Sequence, residues 1–298
     1  EIQLGDWSSD VCSSDLVNLM NSPIFDEEAK NSGGVNDPEI LSENYAANDV
    51  ESVVVMGTGD WGLNGKRKYG CPMIPDLKYR EILEKKGIRV SYCLGVKSSE
   101  LLNMEYSQQK VCWDMFEREI QNRQCAGVKL YPGYESVYAY DTIHRPIFEL
   151  LAKYNLPAVV HTGDIRRGKG ILKYAHPLTV DELAADFPRV KFVISHCGSP
   201  WICDAVEVAV KNPNVSIDLS GLAKGNFTTD WFLNKYEDFV SYFKMWMTYL
   251  GDYNKLIFGT DWPVVSIESY IALIKKLVPD AAYDDVFYNN ALRVFNLI

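Results

Sequence analysis

From residue 50 onward, short apolar, β-branched runs alternate with stretches of helical spacing, and this alternation constrains the fold more than any other feature. The runs fall at 50–56, 88–93, 126–130, 158–161, 191–196, 215–219 and 255–259. The helical stretches fall at 77–86, 111–122, 142–154, 179–186, 202–210, 231–250, 267–277 and 284–295. Short strands that are apolar throughout bury both faces, and strands separated by helix-length segments run parallel. The expected fold is therefore α/β, a (β/α)8 TIM-like barrel, with seven of its strands recognisable. The remaining strand should precede a helix expected at 37–48, so the first strand is read as truncated or overwritten at the N-terminus.

Residues 1–16 explain why. Asp6 to Leu16 reads DWSSDVCSSDL, which has neither a helical nor a strand period. It resembles the translation of a common sequencing-adapter DNA. We read residues 1–16 as a non-native artefact and 17–298 as a single barrel domain. The segment holds four acids (Glu1, Asp6, Asp10, Asp15) and no Lys or Arg, so the formal charge of −10 belongs partly to it. The remainder, with 36 acids against 30 bases, is mildly acidic.

Composition excludes several function classes. An acidic chain lacks the basic footprint of nucleic-acid binding. No apolar run approaches the roughly 20 residues of a membrane helix, and no basic-then-apolar leader opens the sequence. Seven scattered cysteines without a C-x-x-C pair fit buried thiols in a reducing cytoplasm, where we expect the protein to reside. In that setting Asn214-Val-Ser and Asn226-Phe-Thr match the glycosylation pattern by chance. The sequence leaves a monomer and a homo-oligomer equally open.

One motif misleads. Gly57-Thr-Gly59-Asp-Trp-Gly62 follows a clear strand and matches G-x-G-x-x-G. A dinucleotide site would need a helix to start there, with its N-terminus on the pyrophosphate. The chain continues Leu63-Asn-Gly-Lys-Arg-Lys-Tyr-Gly-Cys-Pro72, which is loop chemistry.

Three polar residues sit where expected strands end. His161 closes PAVVHTGD, His196 closes KFVISHCG and Asp261 closes KLIFGTDWP. In a β/α barrel, strand ends share one pocket, where catalytic residues gather. Imidazole and carboxylate are common zinc ligands, and a catalytic site keeps one position for water. Two of only four histidines taking this position, together with the Asp, point to function rather than to isolated structural hydrogen bonding.

At this point the sequence resembles the amidohydrolase-related family of single-domain, metal-dependent hydrolases and decarboxylases. The resemblance rests on GVKLYPGY at 127–134, LPAVVHTGD at 156–164, DELAADFPRVKFVISHCG at 181–198, NVSIDLSGL at 214–222, FGTDWP at 258–263 and NALRVFNL at 290–297. It implies that His161 is a metal ligand, that His196 is a ligand or an acid/base, and that Asp261 is a ligand or the base for the attacking water. His196 and Asp261 are thus the candidate catalytic residues. One divalent metal is implied, zinc first and manganese second. The family opens with an H-x-H pair on its first strand, and no such pair exists here. If 17–19 is the remnant of that strand, Asn18 stands at the second ligand position. An amide oxygen coordinates hard cations but is a weak zinc ligand.

Candidates for holding a small-molecule substrate surround these residues. Asp164, Arg166 and Arg167 lie in the loop beyond His161, with Lys169 beside them, and the two guanidiniums can clamp a carboxylate or phosphate. Lys129 and Tyr131 end the strand at 126–130. Some barrel hydrolases carry a metal-bridging carboxylated Lys there, but a single-metal site argues against it here. His176 is either a loop anchor or a substrate contact, Trp262 should pack at the pocket rim, and Cys197 should face the core. The expected activity is metal-dependent hydrolysis of a C–O or C–N bond (lactone, ester or amide) in a small anionic substrate. A non-oxidative decarboxylase on the same scaffold is the alternative, and a non-catalytic small-molecule-binding barrel is the second.

Overall fold

The computed structural model describes residues 10–15, 23–57, 71–75, 79–165 and 170–297. Eight strands form one sheet in sequence order: β1 (Asp10–Asp15), β2 (Val50–Met56), β3 (Arg89–Gly95), β4 (Cys125–Leu130), β5 (Pro157–Val160), β6 (Lys191–Ile194), β7 (Val215–Asp218) and β8 (Leu256–Ile257). Every neighbouring pair is parallel. The connecting helices are α1 (Pro23–Asn31), α2 (Pro38–Ala47), α3 (Arg80–Lys85), α4 (Ser98–Leu102), α5 (Tyr106–Ile120), α6 (Arg145–Tyr154), α7 (Leu178–Asp186), α8 (Ile202–Lys211), α9 (Thr229–Lys235), α10 (Glu237–Leu250), α11 (Ile267–Leu277) and α12 (Asn290–Phe295). This is the β/α barrel architecture, and the seven strands expected from the sequence are β2 to β8.

The first place in the sheet differs from expectation. It is taken by Asp10–Asp15, part of the stretch set aside as foreign. Residues 17–19, including Asn18, lie outside the described residues, as does most of the Gly57–Gly62 motif. The pairing of β1 with β2 is irregular, with register shifts after Asp10 and after Cys12. Backbone ladders need no particular side chain, so a segment without strand patterning can still supply the hydrogen bonds that the edge of β2 requires.

Local chemistry starts and stops the helices. Asp37 caps α2, accepting from the N–H groups of Glu39 and Ile40 at 2.9 and 3.1 Å, with Pro38 in the first turn. Ser266 caps α11, and Gly251 ends α10 at φ +65°. The stretch 231–250, read as one helix, breaks at Tyr236 into α9 and α10. There the rings of Phe227, Phe232 and Tyr236 pack against one another, and tertiary packing outweighs helical periodicity.

The two faces of the sheet feed different cores. Val53, Val55, Tyr92, Val128, Leu130, Ala158, Val160, Phe192, Ile194 and Ile217 join the larger cluster, which packs against the helices. Their sequence neighbours Val54, Met56, Cys93, Ala126, Val159, Val193 and Ile257 form a smaller inner cluster with Ala291, Val294 and Phe295 of α12. The period-2 alternation of a strand therefore makes an apolar inner face low in the sheet. Continued toward the strand ends, that inner face reaches Lys129, His161, Ser195 and Asp218, which are all buried.

Two amides lock this frame. Asn214, in one of the glycosylation-like triplets, donates to the carbonyls of Ala184, Phe187 and Val190. Asn290 is buried and donates to the carbonyls of Tyr253 and Leu256 at 2.9 and 2.8 Å, tying α12 to the short β8. All six cysteines among the described residues are free, and only Cys203 is not buried. Burial pushes the Cys71 and Cys125 thiols up to about 12. Asn290→Ala removes the side-chain donor from the buried Leu256 carbonyl and should cost about 1–3 kcal/mol, read from urea unfolding. A loss below 0.5 kcal/mol would show that β8 does not depend on this clamp.

Candidate functional site

Five consecutive strand ends place their polar residues on the inner face at the carboxyl end of the sheet. Lys129 comes from β4, and His161 directly follows β5, with its N–H donating to the carbonyl of Leu130 at 3.0 Å. Ser195 and His196 follow β6, Asp218 ends β7, and Asp261 follows β8. The backbone makes sharp turns at two of these points. His196 adopts φ 57° and Asp261 φ 60°, and His196 lies just past β6 rather than on it, where the apolar run 191–196 had placed it. Left-handed backbone in non-glycine residues is sparsely populated and is held here by the surrounding structure. Cys197 shares the conformation and is buried in the outer core, as expected, although by this turn rather than by strand alternation.

The site has two parts that meet at its centre. In one, the rings of His161 and His196 stand edge to face with centroids 5.1 Å apart. The Tyr134 ring also packs on His161, tilted, with centroids 4.7 Å apart. In the other, the buried Lys129 ammonium donates to Ser195 Oγ at 2.6 Å and lies 5.6 Å from the centre of the Tyr131 ring. Loss of water pushes the Lys129 amine down to about 8, and the negative charges of Asp218 and Asp261 oppose that shift. Burial pushes the Tyr131 hydroxyl well above its ordinary range. Asp218 accepts from Ser220 twice, from its N–H at 2.9 Å and from its hydroxyl at 2.7 Å. Ser220 Oγ in turn lies 2.9 Å from His196 Nδ1.

Other candidates lie elsewhere. Asp164 is largely exposed and 3.8 Å from Lys224, while Arg166 and Arg167 lie outside the described residues. His176 packs at a tilt on Trp201 at 4.8 Å, approaches Asp204 at 3.9 Å and accepts from Leu178 N–H at 3.3 Å, the contacts of a loop anchor at the start of α7. Trp262 is buried in the outer core. The fourth histidine, His144, is buried between Ala139 O at 3.0 Å and Ser98 Oγ at 2.9 Å. Sequence reasoning missed Asp218, Ser220, Ser195 and Tyr134. The first two stood in NVSIDLSGL, where a carboxylate closing an apolar strand was the available signal.

Among the described residues, no three His, Cys, Asp or Glu side chains are grouped as a metal ion requires. The His161–His196 pair is nonetheless spaced as two imidazoles sharing one ion can be. The donor chemistry therefore fits a divalent metal in part.

The sequence profile of the family described as Amidohydrolase matches residues 112–297. No curated protein matches by sequence. Among solved structures, an uncharacterized TIM-barrel protein from Bordetella bronchiseptica is 17% identical, with 97% of this chain and 98% of that one covered and a TM-score of 0.69. A dihydroxybenzoic acid decarboxylase from Polaromonas sp. JS666, solved with bound manganese and an inhibitor, is 13% identical over 98% of each chain at a TM-score of 0.57. A dihydroorotase from Campylobacter jejuni is 16% identical, covering 97% of this chain and 84% of that one, at 0.54. At these identities the likeness is one of fold.

Two outcomes test the geometry. Gly221 has φ +72°, and a Cβ there would lie 2.8 Å from His196 Nδ1. Gly221→Ala should destabilise the chain by about 1–3 kcal/mol in urea and displace the His196 ring. An unaltered stability would contradict that packing. Burial pushes His144 from 6.5 down to about 4, against the pull of Ala139 O and Asp141. Between those values the unfolded chain binds a proton that the folded ring refuses, so stability should fall as pH drops from 6.5 to 4, by up to about 3 kcal/mol. His144→Gln should flatten that part of the pH–stability curve, and an unchanged slope would remove His144 as the cause.

Proposed function

Because the chain belongs to the amidohydrolase family, we propose that it is a metal-dependent hydrolase in which activated water attacks a C–O or C–N bond of a small anionic lactone, ester or amide. The observation that carries this reading is the meeting of His161, His196, Asp261 and Lys129 at one end of the parallel sheet. His161 and His196 are the residues that would hold the metal, with Asp261 as the third donor or as the base. Imidazole and carboxylate serve zinc and manganese alike, so zinc is the first ion to test and manganese, which the Polaromonas decarboxylase holds, the second. When bound, the ion polarises the substrate carbonyl and acidifies water.

The chain's own groups divide the remaining work. Asp261 takes the proton of the attacking water and returns it to the leaving group, with His196 Nε2 as the alternative carrier of that same proton where it is not a ligand. Lys129 brings a cation into a dry site, where it attracts an anionic substrate and steadies the oxyanion that forms on the attacked carbonyl. The Tyr131 ring lies beside Lys129 and the Tyr134 ring beside His161. No helix among the described residues is long and apolar enough to cross a membrane. The six cysteines among the described residues are free, which suits the reducing cytoplasm where we place the enzyme.

A decarboxylase is the second reading, favoured by the same buried cation, since Lys129 can hold a substrate carboxylate while His196 or Asp261 supplies the proton. Purified chain supplied with zinc or manganese and a panel of lactones, esters, amides and hydroxybenzoic acids separates the two. Hydrolysis without carbon dioxide is the expected result. Carbon dioxide release would replace it with the lyase reading, and no turnover with stoichiometric metal bound would sink both. Asp261→Asn and His196→Gln should each lower kcat by about a hundredfold or more. Introducing a His-x-His pair on the first strand should raise metal content, because it would add donors to a set the described residues leave incomplete.

A further inference from the structure

The hydroxyl of Ser220 carries one proton, and its direction decides the chemistry of His196. Ser220 Oγ lies 2.7 Å from Asp218 Oδ2 and 2.9 Å from His196 Nδ1. Asp218 is fully buried at the end of β7. Ser220 donates to Asp218 twice, its N–H to Oδ1 at 2.9 Å and its one hydroxyl proton to Oδ2 at 2.7 Å. With that proton given to Asp218, the Ser220 oxygen can only accept toward His196. The proton between Ser220 and His196 is therefore carried by Nδ1.

We propose that Asp218 and Ser220 are positioning residues that hold His196 as its Nδ1–H tautomer, so that Nε2 is the basic nitrogen of the site. The relay runs one way, from His196 Nδ1–H to Ser220 Oγ and from Ser220 Oγ–H to Asp218. Gly221 lets it close, because a side chain there would collide with the His196 ring. The left-handed backbone at His196 turns the ring toward β7, where both partners sit. The same Nε2 lone pair serves a metal ion or a substrate proton, and outer partners of this kind fix ring orientation and tautomer at such sites. The inference deepens the hydrolase reading by naming what prepares its histidine.

The test reads the tautomer directly. In the full chain labelled with 15N-histidine, two-bond 1H–15N spectra distinguish protonated Nδ1 from protonated Nε2, and only four histidines need assignment, that of His196 by its loss in His196→Gln. The expected pattern at a pH where the ring is neutral is protonated Nδ1 and bare Nε2. Ser220→Ala should shift the pattern toward protonated Nε2, while Ser220→Thr, which keeps the hydroxyl, should retain the original. In turnover assays Ser220→Ala should lower kcat roughly 10- to 100-fold with little change in KM. Protonated Nε2 in the parent protein, or an unchanged tautomer in a folded Ser220→Ala, would overturn the proposal. The spectra need no substrate, so failure of the hydrolase reading would leave this result standing, and an active enzyme with protonated Nε2 would defeat only the relay.

Discussion

Burial of both faces of a parallel sheet is the constraint on which the molecule depends. Helices cover the outer face and the strands' own side chains fill the inner one, so polar groups along most of each strand would be costly. β4 and β5 are buried at every position. The inner face stays apolar from Val54 and Val159 down to α12, and turns polar only at the carboxyl ends. Polar chemistry is thereby confined to one layer, where residues distant in sequence become neighbours.

Within that layer the groups stabilise one another. Lys129 is a cation deprived of water, which is tolerable because Ser195 accepts its hydrogen bond and two carboxylates face it. The carboxylates need a cation for the same reason. Asp218 also organises Ser220 and, through it, His196. The pairs are coupled, so charge balance and histidine orientation are two aspects of one network. A divalent ion would enter this network as a further positive charge, and its affinity depends on how the network and the first strand share the ligation.

The first strand illustrates how little side-chain specificity a ladder position demands. β2 is paired along both edges because a backbone lies on each side, and the residues on its β1 side carry none of the periodicity of β2 to β8. Hydrogen bonds of the main chain are indifferent to sequence, whereas ligand donors are not. A segment can thus complete the architecture without bringing the H-x-H pair that the family places there.

The sequence alone determined the barrel class and the positions of seven strands, because burial on both faces leaves a local, readable signature of apolar runs. It also marked His161, His196 and Asp261, since a polar residue directly after such a run stands out, and it marked Lys129 and Tyr131 by the same logic. Only the tertiary structure decided that Asp218 and Ser220 belong with His196, that Tyr134 backs His161 and that His176 anchors a helix. It also decided where 231–250 breaks. These relations depend on the direction of a side chain after a left-handed turn and on which strand end comes to lie beside it. Periodicity along one segment carries no information about contacts across five strands, and those contacts set the charges and proton positions on which the chemistry rests.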